Sequence, residues 1–270
     1  MRLAVLALVA ACGNSSPAVR DGPMNPVHDS PIDAFAGRVL PPVNAKADYQ
    51  LGGAYTPPTG VMIVSRDRTE APAAGLYNIC YLNGFQIQPG EDSTWDADLV
   101  LRNGSGQPVI DTDWNEELID VSAAKRARVL AHVQNWMIGC QQAGYQAFEI
   151  DNLDSYTRSQ GLLTADDAVA MMGMFSAAAH QLAMPIAQKN SSDLVARKAE
   201  LGTDFAVAEE CDHYSECDSY TAGYGDHVIV IEYLRADFTT GCTAFPQLSI
   251  ILRDRNLVTP SDAAYVYDGC

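Results

Sequence analysis

The segment FEIDNLD, residues 148–154, places Glu149, Asp151 and Asp154 at the end of a run otherwise apolar enough to be a buried strand. An unpaired buried carboxylate is costly or is forced to stay protonated, so acids in such a place need a reason. Other apolar runs end the same way: on Asp67, on Lys189 and Asn190, on Glu209 and Glu210, on Glu232 and on Asp254. Polar groups scattered for solubility alone would not gather at strand ends. Paired carboxyl groups suit cleavage of a glycosidic bond, in which one donates a proton to the leaving oxygen and the other, ionised, attacks or activates water. Rival chemistries lack their marks. There is no G-x-S-x-G elbow, no metalloprotease spacing among the five histidines, and no G-x-G-x-x-G or Walker sequence. DNLDSYTRSQG lacks the glycine and terminal Glu of an EF-hand loop. Neither a cofactor nor a metal is expected.

The elements that must bring these residues together follow from periodicity. Strands are predicted at 48–55, 60–67, 75–85, 145–152, 184–190, 204–211, 227–233 and 248–254, and helices at 123–143 and 165–183, the second capped by Thr164. Short β-branched or aromatic runs alternating with helical segments imply a parallel sheet, and eight strands imply closure. The expected fold is α/β: a (β/α)8 barrel of the TIM type, irregular because 68–74 has room for at most one turn of helix. All strand carboxyl ends then meet on one face. Residues 86–121 form a long insertion after the third strand, whose Trp95 and Trp114 either line a groove or pin the insertion to the barrel.

At 270 residues and 47% hydrophobic, the chain can build one substantial core. A formal net charge of −17, with no run of Lys or Arg, excludes the electrostatic footprint of a nucleic-acid binder. MRLAVLALVAACGNSS reads as a signal sequence, and VAAC resembles a bacterial lipobox ending at Cys12, which would carry a lipid; an ordinary signal peptide cut nearby is the alternative. Residues 1–12 are thus expected as the signal, 13–43 as a Pro-, Gly- and Ser-rich tether, and 44–270 as the barrel domain. Either cleavage makes the protein exported, to the cell envelope or beyond it. No later run is long enough to span a membrane, so the lipid is the only expected membrane contact, and a monomer is the default. In an oxidising compartment the six remaining cysteines are expected to pair as Cys211–Cys217, Cys242–Cys270 and Cys80–Cys140, one of many pairings that six cysteines allow. A zinc site on Cys211, His213 and Cys217 competes but has no evident fourth ligand.

QAFEIDNLDSYTRSQGLLT, IAQKN, DFAVAEECDHYSEC and VIVIEY resemble, in order and spacing, segments of glycoside hydrolase family 114. LYNICYLNGFQ and WNEELIDVS extend the resemblance upstream, so that it covers about 48–267. It implies a (β/α)8 barrel with endo-α-1,4-polygalactosaminidase activity on a cationic, partly deacetylated galactosamine polymer. It also implies Asp151 and Glu209 as the catalytic carboxylates. Alternation alone is equivocal here: Phe205, Val207 and Glu209 share one face and Ala206, Ala208 and Glu210 the other. The larger apolar set would ordinarily face the helices, which favours Glu210; the family pattern, commonly Gln at that second position, favours Glu209. Lys189 and Asn190 match the family's KN, and a cation there would keep a nearby carboxylate ionised, a capping salt bridge or turn amide being the alternative. Asp154 is placed to hold a substrate amine or hydroxyl, and Asp67, Tyr81, Glu210 and Glu232 join the substrate-binding set, with packing the alternative for Tyr81. Glu149 is expected in an internal ion pair. Two other readings stay open: a polysaccharide-binding lipoprotein without turnover, and a hydrolase of another α-linked glycan, because YLNGFQ departs from the CYISAG-like sequence of other members.

Overall fold

The computed structural model describes residues 37–270; Cys12, the signal segment and most of the expected tether lie outside them. Eight parallel strands form the barrel wall in chain order: β1 (Ala47–Gln50), β2 (Ile63–Asp67), β3 (Tyr77–Asn83), β4 (Ala147–Asp151), β5 (Ile186–Lys189), β6 (Phe205–Glu209), β7 (Val228–Glu232) and β8 (Ser249–Arg253). A ninth strand that periodicity did not reveal, β9 (Tyr267–Gly269), runs antiparallel on the free edge of β8. Contacts with the barrel begin before the expected boundary at residue 44. The Tyr77 hydroxyl donates to the Val39 carbonyl at 2.6 Å, and Pro41 is buried.

The barrel is irregular as expected, since no helix lies between β1 and β2 or between β2 and β3. Five α-helices cover the remaining connections: α1 (Arg126–Ala143), α2 (Ala165–Gln181), α3 (Lys198–Leu201), α4 (Cys217–Tyr224) and α5 (Arg235–Ala244). Val129, Val133, Met137 and Cys140 recur at helical spacing and bury one face of α1. They pack with Cys80, Leu82, Phe148 and Ile150 from the outer face of β3 and β4. Thr164 caps α2 through a reciprocal box with Asp167, satisfying two backbone donors that would otherwise have no partner. Gly144, at φ 101°, ends α1 in the left-handed conformation that glycine tolerates.

Inside the barrel, Tyr49, Ile63, Ile79, Phe205, Val207, Ile229, Ile231 and Ile251 fill the lumen. The larger apolar residues of β6 therefore point inward, and Ala206 and Ala208 face the helix side, contrary to the expectation from size. The reason is volume. An eight-stranded lumen must be filled by side chains, whereas on the helix side Ala206 and Ala208 share a cluster with the bulky Tyr220 and Tyr224 of α4.

Among the described residues β1 and β8 do not pair directly, because β9 occupies the edge of β8. Side chains bridge that seam. Arg253, fully buried, donates to the Tyr49 carbonyl and to the Val258 carbonyl at 3.0 Å and lies 3.3 Å from Asp48, while Ser249 accepts from the Ala45 N–H at 3.0 Å. The expected disulfides are all present. Cys80–Cys140 fastens α1 to β3, Cys242–Cys270 ties the residue after β9 to α5, and Cys211–Cys217 closes the loop after β6. The last pair consumes the sulfurs of the alternative zinc site, and among the described residues no group of His, Cys, Asp and Glu is placed to hold a metal. Among the same residues no helix is long and apolar enough to cross a membrane.

The insertion folds as a three-stranded antiparallel sheet (Gln86–Ile87, Glu116–Leu118, Ile110–Asp111) whose apolar side joins the α1–α2 core. Its two tryptophans divide the expected roles. Trp95 is buried and stacks on His132 at 4.0 Å between ring centroids, whereas Trp114 stands exposed at the barrel mouth.

Candidate active site

Alternation along three neighbouring strands builds the centre. On β4, Phe148 and Ile150 point out to the helices, so Glu149 and Asp151 point in. On β5 the inward residue at the carboxyl end is Lys189, and on β6 it is Glu209. Immediately afterwards Asn152, Asn190 and Glu210 take positive φ (65°, 49° and 57°), turning the chain away from each strand. The left-handed turn at Glu210 thus separates the two acids that alternation left in competition: Glu209 ends in the mouth, and Glu210 lies further out, 3.1 Å from Arg255.

Lys189, 2% exposed, is the hub. Its Nζ lies 3.2 Å from Asp151 Oδ1, 3.2 Å from Glu209 Oε2 and 3.3 Å from Glu149 Oε1, and it donates to the Tyr49 hydroxyl at 3.0 Å. Burial by itself would drive the ammonium towards neutrality, but Asp151, Glu209 and Glu149 hold its pKa well above the ordinary value, so it is charged. Glu149 is the expected internal ion-pair partner. It also accepts from the Tyr49 and Ser65 hydroxyls, and burial, only partly offset by Lys189, raises its pKa.

The two carboxylates at the mouth are held by donors. Asp151 accepts from the Tyr81 hydroxyl at 2.6 Å and the Asn152 N–H at 2.8 Å. Glu209 accepts from Tyr233 and from Asn190 Nδ2 at 3.0 Å, and Asn190 Oδ1 returns a bond from the Glu209 N–H at 2.8 Å. Burial pushes the Glu209 carboxyl up, yet Lys189, Tyr233 and Asn190 outweigh it and leave the carboxyl below its usual range. Burial and the adjacent carboxylates raise the Tyr49, Tyr81 and Tyr233 hydroxyls above their ordinary value, so all three remain protonated donors.

A cleft of about 410 Å³ opens over this centre. Asp67, Tyr81, Asp151, Asp154, Lys189, Asn190 and Glu209 all line it, so most of the sequence-predicted set is brought together. Asp67 accepts from the Thr69 N–H and hydroxyl at 2.9 and 2.6 Å, and Asp154 is clamped by both terminal nitrogens of Arg158 at 2.8 and 2.9 Å. Glu210 lines an adjoining lobe of the same cleft.

Glu232 is the exception. It shares the outward face of β7 with Val228 and Val230, lies fully buried away from the cleft, and accepts from the Asp212 N–H at 2.8 Å. The lumen-facing residues of that strand are Ile229 and Ile231, so the position that reaches the mouth is Tyr233. Burial first, then Asp212, Asp237 and Glu210, push the Glu232 carboxyl up to about 7. A folded-state pKa above the unfolded value of about 4.3 contributes stability that is present below that value and lost as pH rises through the folded pKa. Glu232→Gln is therefore expected to be more stable than wild type above about pH 7, by ~1–2 kcal/mol, and to lose that advantage below about pH 5. Thermal unfolding of both proteins at the two pH values checks this.

Sequence reasoning also missed residues that the insertion and distant strands deliver. Glu116 projects from the inserted sheet and accepts from Asn83 Nδ2 at 2.9 Å; burial, with Asp151 and Asp111 adding, lifts it to about 7. Tyr49 and Tyr233 were legible in principle, since each shares the parity of its strand's lumen-facing residues.

Paired acids at the carboxyl-terminal mouth of a parallel barrel fit the two-carboxyl chemistry of glycoside hydrolases. The chain belongs to glycoside hydrolase family GH114, whose family model matches residues 30–270. Comparison with curated protein sequences gives no match. Among solved structures, it is similar to Aspergillus fumigatus Ega3 in complex with galactosamine, with a TM-score of 0.71 and 20% identity over 86% of this chain and 97% of that one. The glycoside hydrolase domain of PelA from Pseudomonas aeruginosa matches with a TM-score of 0.57 and 13% identity over 82% of this chain and 97% of that one. An α-galactosidase from Thermus thermophilus, TtGalA, matches with a TM-score of 0.50 and 14% identity over 84% of this chain and 62% of that one. At these identities the structural likenesses concern the fold.

Proposed function

We propose that this glycoside hydrolase cuts internal α-1,4 linkages of a galactosamine-containing polysaccharide, with Asp151 and Glu209 as the reacting carboxyl groups. The observation that carries the proposal is the shared contact of both acids with the buried Lys189 ammonium at the floor of an open cleft. Membership of the GH114 family and the galactosamine bound to Ega3 support the substrate class.

In the first step one carboxyl gives its proton to the glycosidic oxygen while an oxygen of the other attacks the anomeric carbon, breaking the bond to the leaving chain. In the second, the first group, now a carboxylate, takes a proton from water, whose oxygen displaces the enzyme carboxylate from the sugar. Tyr81, Lys189, Asn190 and Tyr233 position the two acids, and Asp67, Asp154 and Glu210 offer acceptors to hydroxyls or amines of the bound polymer.

The two oxygens that share Lys189 are separated by no more than twice their 3.2 Å contacts. That bound admits the ~5–5.5 Å separation of retaining enzymes, which the two-step course above requires. Cleavage is accordingly expected to retain anomeric configuration. Proton NMR of the first products formed from α-1,4-galactosaminan tests both the activity and its outcome: an initial α-anomer agrees, an initial β-anomer removes the two-step mechanism, and no cleavage of a bound polymer replaces the enzyme by a binding protein.

The charge of −17 favours a cationic polymer, so the Michaelis constant is expected to rise with ionic strength. Three disulfides fit an oxidising compartment and hence export. Anchoring through a lipid on Cys12 is proposed on the lipobox-like sequence alone.

A further inference from the structure

The catalytic cleft continues into a second lobe of about 690 Å³, walled by the turns that follow β4 and β5 and by the disulfide loop after β6. We infer that this lobe is a separate sugar-binding subsite, gripping polymer residues beyond the bond being cut, with Tyr214 and Trp114 as its aromatic platforms. The inference rests on the polysaccharide-hydrolase reading for the chemical class of its ligand.

Trp114 is 58% and Tyr214 60% exposed, and both line the second lobe. A large aromatic surface left in water on one loop is ordinary, but two on one groove beside the acid pair exceed what packing accounts for, even with Tyr214 edge-on to the His213 ring at 4.7 Å between centroids. Trp95 shows the packing use of the same residue type in the same insertion, at 5% exposure. Both exposed rings sit on braced loops. Tyr214 lies between Cys211 and Cys217, six positions apart, where its N–H donates to the Glu210 carbonyl at 3.0 Å and the Glu216 N–H donates to the Cys211 carbonyl at 2.7 Å. Trp114 lies in a turn where the Asp113 N–H donates to Asp111 Oδ1 at 3.0 Å. Bracing lowers the ordering cost of binding, which is what a recognition surface requires.

The chemistry between the platforms suits an amino sugar. The apolar face of a pyranose ring stacks on an aromatic ring, and Asp193 and Glu216 on the same walls supply acceptors for hydroxyls or an ammonium. The Tyr156 hydroxyl donates to Asp193 Oδ2 at 2.9 Å, tying together the turns after β4 and β5 and fixing that wall. Asp154, Asn190, Glu209 and Tyr233 line both lobes, so a chain seated over the acids runs into the second lobe without a break.

The test uses the Asp151→Asn protein, which holds substrate uncut, and a length series of α-1,4-galactosamine oligosaccharides from the disaccharide upward. Affinity is expected to rise with length until the second lobe is filled. Adding Tyr214→Ala should remove about tenfold of that gain while leaving the affinity for the disaccharide as it was, and Tyr214→Phe should keep the gain. A length dependence unchanged by Tyr214→Ala, or an equal loss at every length, overturns the inference. So does an affinity that never rises with length. Wild-type cleavage of the polymer, measured alongside, separates failure of the subsite from failure of the hydrolase reading. If polymer is cut but affinity is flat, only the subsite falls; if polymer is bound with the predicted length dependence but never cut, only the hydrolase falls.

Discussion

Folded Asp151→Asn or Glu209→Gln protein is expected to release oligosaccharides from α-1,4-galactosaminan about a thousandfold more slowly than wild type. Each amide is nearly isosteric with its carboxyl and can still accept from Tyr81 or Tyr233, so the cleft keeps its shape. What is lost is the ability to exchange a proton or to form and release the glycosyl ester. On the proposed two-step course the two acids act in one sequence of bond changes, and the double variant is then expected to be little slower than the worse single one. Initial rates of reducing-end release, with circular dichroism as the folding check, decide the matter; either single variant retaining near-wild-type activity removes that residue from the chemistry. An aryl α-galactosaminide with a good leaving group then separates the roles, since the variant lacking the proton donor is spared on that substrate and the variant lacking the nucleophile is not.

Lys189→Met is expected to damage both stability and activity. The ammonium stands between Glu149, Asp151 and Glu209 at 3.2–3.3 Å, and no other cation lies within the same distance of Glu149 or Glu209 among the described residues. Removing one partner of a buried ionic cluster leaves uncompensated charge and costs about 3–5 kcal/mol. The sign with pH follows from the carboxyls. Without the cation their folded pKa values rise, so the variant binds more protons than its unfolded chain at mildly acid pH and regains stability as pH falls. Denaturant unfolding should show a deficit that is largest above neutrality and shrinks in acid. Lys189→Arg is not expected to rescue it, because a flat, forked guanidinium does not reproduce a compact ammonium set 3.2–3.3 Å from three carboxylates. A deficit independent of pH would mean that Lys189 acts through packing alone.

The barrel was legible because most of its strands are short apolar runs ending in polar residues, β1 with its ADYQ sequence being the exception, and because Thr164 and its acidic neighbours mark the start of α2. The acids at the mouth were legible for the same reason. What periodicity could not supply was the direction of each face. A period of two says that Glu209 and Glu210 part company, not which goes inward; that depends on whether the lumen or the helix layer needs the larger side chains, a property of the closed barrel. The same uncertainty exchanged Glu232 for Tyr233. The inserted sheet escaped because two- and three-residue strands carry no pattern, and with it went Glu116, whose place beside the mouth is set by the hydrogen bond from Asn83 and not by any local signal. β9 escaped likewise, its pairing with β8 being defined only once the barrel exists.

The side-chain seam between β1 and β8 has a kinetic meaning. Arg253 reaches the Tyr49 carbonyl, and Ser249 the Ala45 N–H, across 204 residues of sequence. Contacts so distant along the chain reward folding only after nearly all the loop entropy between them has been lost, so closure belongs late on the route to the native state. Until then β1, and β8 wherever β9 has not yet docked on it, present open edges to strands of other molecules. The stage most prone to aggregation is therefore a nearly complete sheet awaiting its last lateral contact, and a holding factor that shields that edge would raise the yield of folded protein more than one that shields the helices.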